Sequence, residues 1–464
     1  MNSTLRIVYT ITMSADVNEN LVSTAIPSED QAEDQRALPA RTLRGLGNRA
    51  FSRFVAAGPW RALGYRDYLL LWSGMLVSQA GSQMRVVAVA WQVYLLSHSA
   101  LLLGALGLVQ AIPTMLFSLV GGVIADAFDR RKLLLFTEVT LALCSTALAL
   151  LTIFHLITIP IIYVIAVVSA AVGSFDYPTR QTLISKIVPT SQLTNAYSLN
   201  MLMFNLAVIV GPTLGGFAIA GLGVAGTYWF DVGSFGCVVI ALLLMRVDGR
   251  PGEGHAAPGF QSLVEGMRFL RQHPVIFSVM LLDFCAMFFG STRGLLPIYA
   301  AQIYHVGPQG LGVLLAATAV GAVVATFLSG PVGRWQRQGL GVILAIAAYG
   351  VCIVLFGLSA WSFVLGLAFL VASGAADMVS TVLRSTIAQL GTPDEFRGRV
   401  SSIYAVFSIG GPMLGQFEAG SLANLSTAPI AATIGGVLVI GSAALISALV
   451  PSVRRFIPPK EPAR

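Results

Sequence analysis

The chain predicts an all-α membrane protein with 12 transmembrane helices in two pseudo-symmetric six-helix bundles. Three observations carry that prediction. Of 464 residues, 56% are hydrophobic and only 11% are charged, against the ~25% charged content of a soluble domain. Apolar stretches long enough to cross ~30 Å of hydrocarbon recur from about residue 68 onward. Features of the first half return in the second at a shift of roughly 200 residues.

Residues 1–60 stand apart. They are polar, acidic around Ser28–Asp34 and Arg-rich from Arg36, which predicts a disordered cytoplasmic tail. Leu5–Met13 is too short and wrongly flanked for a secretory signal. Residues 61–246 form the first bundle, with spans near 68–95, 101–126, 133–154, 160–187, 195–220 and 226–245. A cytoplasmic linker covers 247–273. The second bundle, 274–450, holds spans near 274–301, 309–331, 339–357, 362–390, 399–423 and 429–450, and 451–464 is a second cytoplasmic tail. Turn signals at Ser97–Ser99, Gly221–Gly223, Gly307–Pro308 and Ala428–Pro429 fall in the gaps.

Charge placement supports the count. Alternate connections carry Arg66, Arg130, Arg131, Lys132, Lys186, Arg246, Arg250, Arg268, Arg271, Arg334, Arg337, Arg397, Arg399, Arg454 and Arg455, while the intervening ones have no Lys or Arg. Cations concentrate on the cytoplasmic side of a bilayer, so both termini are expected in the cytoplasm. In the linker, Phe260, Leu263, Val264, Met267 and Leu270 share one helical face, which predicts an interfacial helix bridging the halves.

The internal repeat is specific. GPTLGG at Gly211–Gly216 returns as GPMLGQ at Gly411–Gln416; Asp176 returns as Asp377, and Arg85 as Arg293. Two such bundles enclose a cavity near the midplane. Gly211 and Gly215 form a face for tight helix packing, and Pro212 bends the helix.

Several classes are set aside. The net charge of +7 is dispersed over helix ends, so no nucleic-acid partner is indicated. Cys144, Cys237, Cys285 and Cys352 sit in apolar runs, and the five His are scattered, so neither a metal centre nor a disulfide framework is expected. There is no phosphate-binding Gly-x-x-x-x-Gly-Lys-Ser/Thr loop and no nucleophile–base cluster at a membrane surface, which argues against an enzyme and against a cofactor.

Ionisable residues inside spans are expensive and are therefore the candidate transport and coupling residues: Arg85, Asp176, Arg180, Asp283, Arg293, Asp377 and Arg384. Asp176 and Arg180 lie one helical turn apart, and Asp377 and Arg384 two turns apart, as neutralising pairs would. Arg85 and Arg293 have no acid nearby in sequence, which suits either an anionic substrate or a carboxylate from another helix. Asp283 has no sequence-local cation and is the first choice for a lone proton carrier. Glu138 is expected to pair with the cationic tip at Arg130–Lys132, and Glu418 to take up protons from the outer side. Interhelix pairing is the competing explanation for each of these residues. Gln and Phe side chains in the spans are read as packing.

Two motifs carry a family resemblance. GGVIADAFDRRK at Gly121–Lys132 resembles the signature between spans 2 and 3 of the major facilitator superfamily. Gly122, Asp126, Arg130 and Arg131 match it, while Ala127 and Asp129 replace a cation and a glycine. The resemblance implies a cytoplasmic gate in which Asp126 meets Arg397 or Arg399 at the start of span 11. GPTLGG, with Gly211, Pro212, Gly215 and Gly216, resembles part of the superfamily's antiporter signature; Ala207 and Ser198 stand where the fuller form has glycine. FDYPTRQTLISKIVP, GMRFLRQHPVI and TRGLLPIYA are similar to the branch that holds the enterobactin exporter and bacterial drug-efflux relatives. A charged span-4 signature of other drug/proton antiporters is absent, since Tyr163–Phe175 has no charge. The resemblance covers roughly residues 60–450. It implies proton-coupled export of a small-molecule substrate, a siderophore or drug-like compound, by alternating access. Its partners are the substrate, protons and the lipid bilayer, with no obligate protein partner. Nutrient import by the same fold, or a sensor that has lost transport, are the rival expectations.

Overall fold

The structure, a computed structural model, describes residues 58–247, 260–328 and 337–456. Within that range the side chains of 58–59, 119–127, 260–264, 328, 394 and 402 lie outside the description. The tail expected over 1–60 falls almost wholly outside it, as do Arg250 and Arg334.

Among the described residues all regular structure is helical. Span 1 is Arg66–Ser97, span 2 Ala100–Ala127, span 3 Arg130–Ile153 and span 4 Ile159–Ile187. Leu193–Leu244 holds spans 5 and 6, parted at Gly223, whose φ of 73° is open to glycine and strained for other residues. After the linker helix Phe260–Gln272 come span 7 from Pro274, span 8 Gly307–Leu328, span 9 Gln338–Leu358, span 10 Phe363–Gly391, span 11 Asp394–Leu425 and span 12 Ala428–Leu449.

Local chemistry sets the ends. Asp129, the departure from the family signature, is the N-cap of span 3: its carboxylate accepts from the amides of Arg131 and Lys132 at 3.0 and 3.1 Å. Ser362 and Thr427 cap spans 10 and 12 in the same way. Spans 1, 3 and 7 are followed by His98, His155 and His305, each in left-handed backbone. These three histidines lie at one end of the bundle, whose connections contain no Asp, Glu, Lys or Arg; the opposite, cationic end holds Arg130–Lys132 and Arg397–Arg399.

Two expectations need correction. Span 7 is not continuous over 274–301. It stops at Phe289, passes through a non-helical stretch from Gly290 to Leu295, and resumes as Leu296–Ile298 with a π-turn at Tyr299–Ile303. Two glycines, Ser291 and Thr292 make a poor helix there. The linker helix does not lie free at an interface. It meets span 7 at 107°, and Phe269 and Leu270 are buried with Ile276, Met280, Val400 and Ile403 of spans 7 and 11.

Residues 58–69 and 184–199 belong to one small compact unit, in which the Tyr68 hydroxyl donates to the Ala196 carbonyl at 2.7 Å. The rest of the described chain is the other unit. In that larger unit, one hydrophobic core at the uncharged end draws on both halves, from Val87, Leu103 and Tyr228 to Leu296, Leu314 and Ala431. The halves close there backbone to backbone. Gly104 and Gly420 bring spans 2 and 11 together, and Gly312 fits under the Pro212 carbonyl where span 8 meets span 5. A side chain at any of these positions collides with main chain.

Candidate functional site

Beneath that core lie two sets of buried charges, one in each half. In the first, Arg85 Nε sits 3.0 Å from Asp231 Oδ2, and its Nη1 donates to Ser169 Oγ at 3.2 Å. Asp231 is fully buried and also accepts from Ser145 Oγ at 2.6 Å. The carboxylate from another helix that Arg85 called for is therefore Asp231, from span 6. Sequence reasoning missed it; a lone acid inside an apolar span was the available signal. Asp176 and Arg180 pair along span 4 at 3.3 Å, as the one-turn spacing implies.

Glu138 corrects an expectation. It does not sit at the cationic tip but is 2% exposed inside the bundle, accepts from Ser78 Oγ at 3.4 Å, and feels the charges of Asp176, Arg180 and Asp231. No ion pair involves it among the described residues. Nearly two turns of helix beyond the tip, this side chain faces inward, toward Ser78 of span 1.

In the second half Asp283 is not a lone carboxylate. Arg384 Nη1 from span 10 lies 2.7 Å from its Oδ1, and Ser408 Oγ from span 11 donates to its Oδ2 at 3.0 Å. The same guanidinium reaches Asp377 at 3.4 Å and Thr381 Oγ1 at 2.8 Å. Asp283 and Arg384 are almost fully buried, whereas the Asp377 side chain is 35% exposed. One cation thus serves two acids, and one of the acids meets water.

Arg293, the counterpart of Arg85, falls in the break of span 7. Its side chain is open to solvent. No carboxylate lies within 4 Å of it among the described residues. Its neighbours are pinned: the Tyr349 hydroxyl donates to the Gly290 carbonyl at 2.9 Å, Ser291 Oγ donates to the Pro412 carbonyl at 3.2 Å, and Gly294 lies against the Gln416 carbonyl. Glu418, half-buried in span 11, likewise has no ion pair among the described residues.

The residues expected to form a gate are only partly described. Gly122 and Asp126 lie in span 2, with side chains outside the description. Arg130 is buried, Arg131 donates to the Leu243 carbonyl at 3.1 Å, and Arg399 pairs with Glu265 of the linker helix at 3.1 Å. Gly211 and Gly215 pack on span 1 against Ala80, Gln83 and Met84, while Gly216 meets Pro308 of span 8. Gly411 and Gly415 repeat this packing on span 7, against Met287 and Phe288.

A family profile described as "transmembrane secretion effector" matches residues 57–460. Curated relatives named enterobactin exporter EntS include those of Citrobacter koseri, 26% identical over 80% of this chain and 89% of the relative, and of Escherichia coli O1:K1, 26% identical over 80% and 88%. Among solved structures, a bacterial homologue of the human lysosomal transporter Spinster superposes with a TM-score of 0.67 at 15% identity, covering 84% of this chain and 98% of that one. The nucleoside transporter NupG superposes at 0.64 with 13% identity, covering 82% and 98%. These likenesses show the fold.

Proposed function

We propose, on the premise that the chain belongs to the transmembrane secretion effector family of the major facilitator superfamily, that this transporter exports a small organic molecule, siderophore or drug-like, from a bacterial cytoplasm in exchange for protons. The export direction is supported by relatives named as exporters. The distribution of cations supports a cytoplasmic cationic end and a periplasmic uncharged end.

The observation that carries the coupling is the sharing of Arg384 between Asp283 and Asp377. A proton taken up by Asp377 removes one negative charge and leaves Arg384 paired with Asp283, so the buried cation is never stranded. Stranding it is the expensive event, because a buried pair broken on one side destabilises by about 3–5 kcal/mol. Glu138 supplies an uncompensated carboxyl in the other half, beside Asp176 and Arg180, and is suited to carry a second proton. Arg85 is neutralised by Asp231 and serves structure.

Alternating access then needs the seal at the uncharged end to part while the cationic end closes. Gly122, Asp126, Arg130, Arg131, Arg397 and Arg399 are the latch of that opposite state. With the uncharged end sealed, Arg131 bonds within the first half and Arg399 pairs with the linker helix.

The test uses the full chain in proteoliposomes with a panel of siderophores and dyes. We expect uptake or release to follow an imposed pH gradient, to stop on adding a protonophore, and to become gradient-independent in Asp377→Asn. Transport that ignores the collapse of the gradient removes proton coupling, and accumulation toward the cytoplasmic side removes export.

A further inference from the structure

We infer that a cleft at the uncharged end is a ligand site of its own. It takes an uncharged solute with adjacent hydrogen-bond donors and acceptors, an amide or a vicinal diol, and the seated ligand holds the seal shut. The transport reading gives this end a seal and nothing more, so the site lies beyond it.

The cleft has a volume of about 600 Å³, within the ~300–1,000 Å³ of small-molecule sites. Three parts of the chain wall it: His98 between spans 1 and 2, Ile298 and Gln302 at the resumed end of span 7, and Asn424 and Pro429 where span 11 passes to span 12. Gln302 belongs to the π-turn Tyr299–Ile303. Such turns are rare and gather at functional sites, and this one brings its residues to the cleft wall.

The chemistry of the wall selects the ligand. No Asp, Glu, Lys or Arg lines it among the described residues. Its hydroxyls are spent locally: Ser99 Oγ accepts from the Leu102 amide, Ser426 Oγ donates to the Leu422 carbonyl, and Thr427 Oγ1 accepts from the Ile430 amide. The side-chain amides of Gln302 and Asn424 and the ring nitrogens of His98 make no hydrogen bond among the described residues. Each amide sets a carbonyl acceptor beside an NH₂ donor. The matching group also offers a donor and an acceptor together, as an amide or a vicinal diol does. An ionised group finds no opposite charge here to offset the water it gives up. Ile298 and Pro429 supply apolar wall for the carbon skeleton.

The placement supplies the consequence. His98 comes from the first half, and Gln302 and Asn424 from the second. The closest approach of the halves is adjacent: Gly420 of span 11 lies against Gly104 and the Ala100 carbonyl of span 2, and Ala100 and Ala423 both line the cleft. A ligand that needs both walls binds the sealed arrangement better than the parted one, and that difference in affinity shifts the population toward the seal. Solute on the outer side thereby slows reopening of that side.

The probes are N-acetylglucosamine, which carries an amide and vicinal hydroxyls without charge, and its charged relatives glucosamine and glucuronate. Binding to the full chain in lipid nanodiscs is followed by saturation-transfer NMR titration. N-acetylglucosamine is expected to saturate below ~100 mM and to bind about 5-fold or more tighter than either charged sugar. Gln302→Ala combined with Asn424→Ala is expected to weaken it by about 5-fold or more. Both side chains are exposed, so the fold tolerates the change, which an unmoved thermal denaturation checks. Failure to saturate, equal binding of the three sugars, or a double variant that binds like wild type each overturns the proposal.

The clamp is read separately. Leu156→Cys and Trp361→Cys, in a chain whose four native cysteines are replaced by Ser, carry spin labels on the 3–4 and 9–10 connections. Both positions are exposed and neither lines the cleft. Pulsed electron paramagnetic resonance then reports the separation of the halves at this end. N-acetylglucosamine is expected to raise the share of the shortest distance, and to lose that effect in the double variant; a distribution that the sugar leaves unchanged overturns the clamp. The same proteins in liposomes keep this site apart from the transport reading. Binding and clamping with no gradient-driven transport sinks proton-coupled export and leaves the cleft, whereas driven transport without charge-selective binding does the reverse.

Discussion

Spans 1 and 7 hold related places in the two halves, and each brings one arginine to the interior. Span 1 runs unbroken and hands Arg85 to Asp231, itself held by Ser145. Span 7 stops short, and Arg293 meets water. The difference lies in the neighbours. In the second half, Gly435 of span 12 offers a bare face that receives the Phe289 carbonyl, and Tyr349 of span 9 is bonded to Gly290. The first half uses its polar groups to neutralise a cation. The second uses them to hold an interrupted backbone and leaves the cation unneutralised. A duplicated fold can keep its packing and still make one copy scaffold and the other site.

This contrast is open to direct attack, and the largest effect is expected at its centre. Asp231→Ala strands Arg85 and should lower unfolding stability by about 3–5 kcal/mol, read by thermal denaturation of the solubilised protein. Arg293→Ala in the same assay should shift it by less than ~0.5 kcal/mol, since no partner is lost. Similar losses in the two variants erase the distinction between scaffold and site. Gly312→Val sets a branched side chain against the Pro212 carbonyl, and about 1–3 kcal/mol of overpacking is expected; if denaturation is unmoved, the seal is not the tight contact described. Asp129→Ala should cost ~1 kcal/mol through the lost cap of span 3. Arg337→Ala, at the matching start of span 9 where no side chain caps the helix, should be silent in the same melt, and a reversal of that order removes this asymmetry. Smallest is Glu265→Gln. Its half-exposed pair with Arg399 should be worth less than ~0.5 kcal/mol, and a loss above ~1 kcal/mol in denaturation would promote the linker helix from cover to brace.

The span positions and the alternation of cations were plain in the chain, because hydrocarbon thickness and charge placement act locally on sequence. The pairs Asp176–Arg180 and Asp377–Arg384 were legible as well, being one and two turns apart. The pairs across helices were not. Asp231 with Arg85 and Asp283 with Arg384 join residues far apart in the chain, and only packing brings them together. The break in span 7 was hidden by the apolar run Leu295–Ala300 that follows it. The clues were the clustered weak helix formers at Gly290–Gly294 and Pro297 at the first turn of the resumed helix. Glu138 was misplaced because distance along the chain from the tip was taken as distance in space, while a helix turns its residues to different faces.

The seal at the uncharged end is made of glycines set against main-chain carbonyls. Around those contacts the side chains are those of the apolar core, without Asp, Glu, Lys or Arg. When spans 2 and 11, or 5 and 8, draw apart there, the opening can sort solutes by size but meets their charge with none of its own. Discrimination by charge therefore belongs to the charged layer beneath it. The door and the filter are separate parts, and substitutions that retune one leave the other as it was.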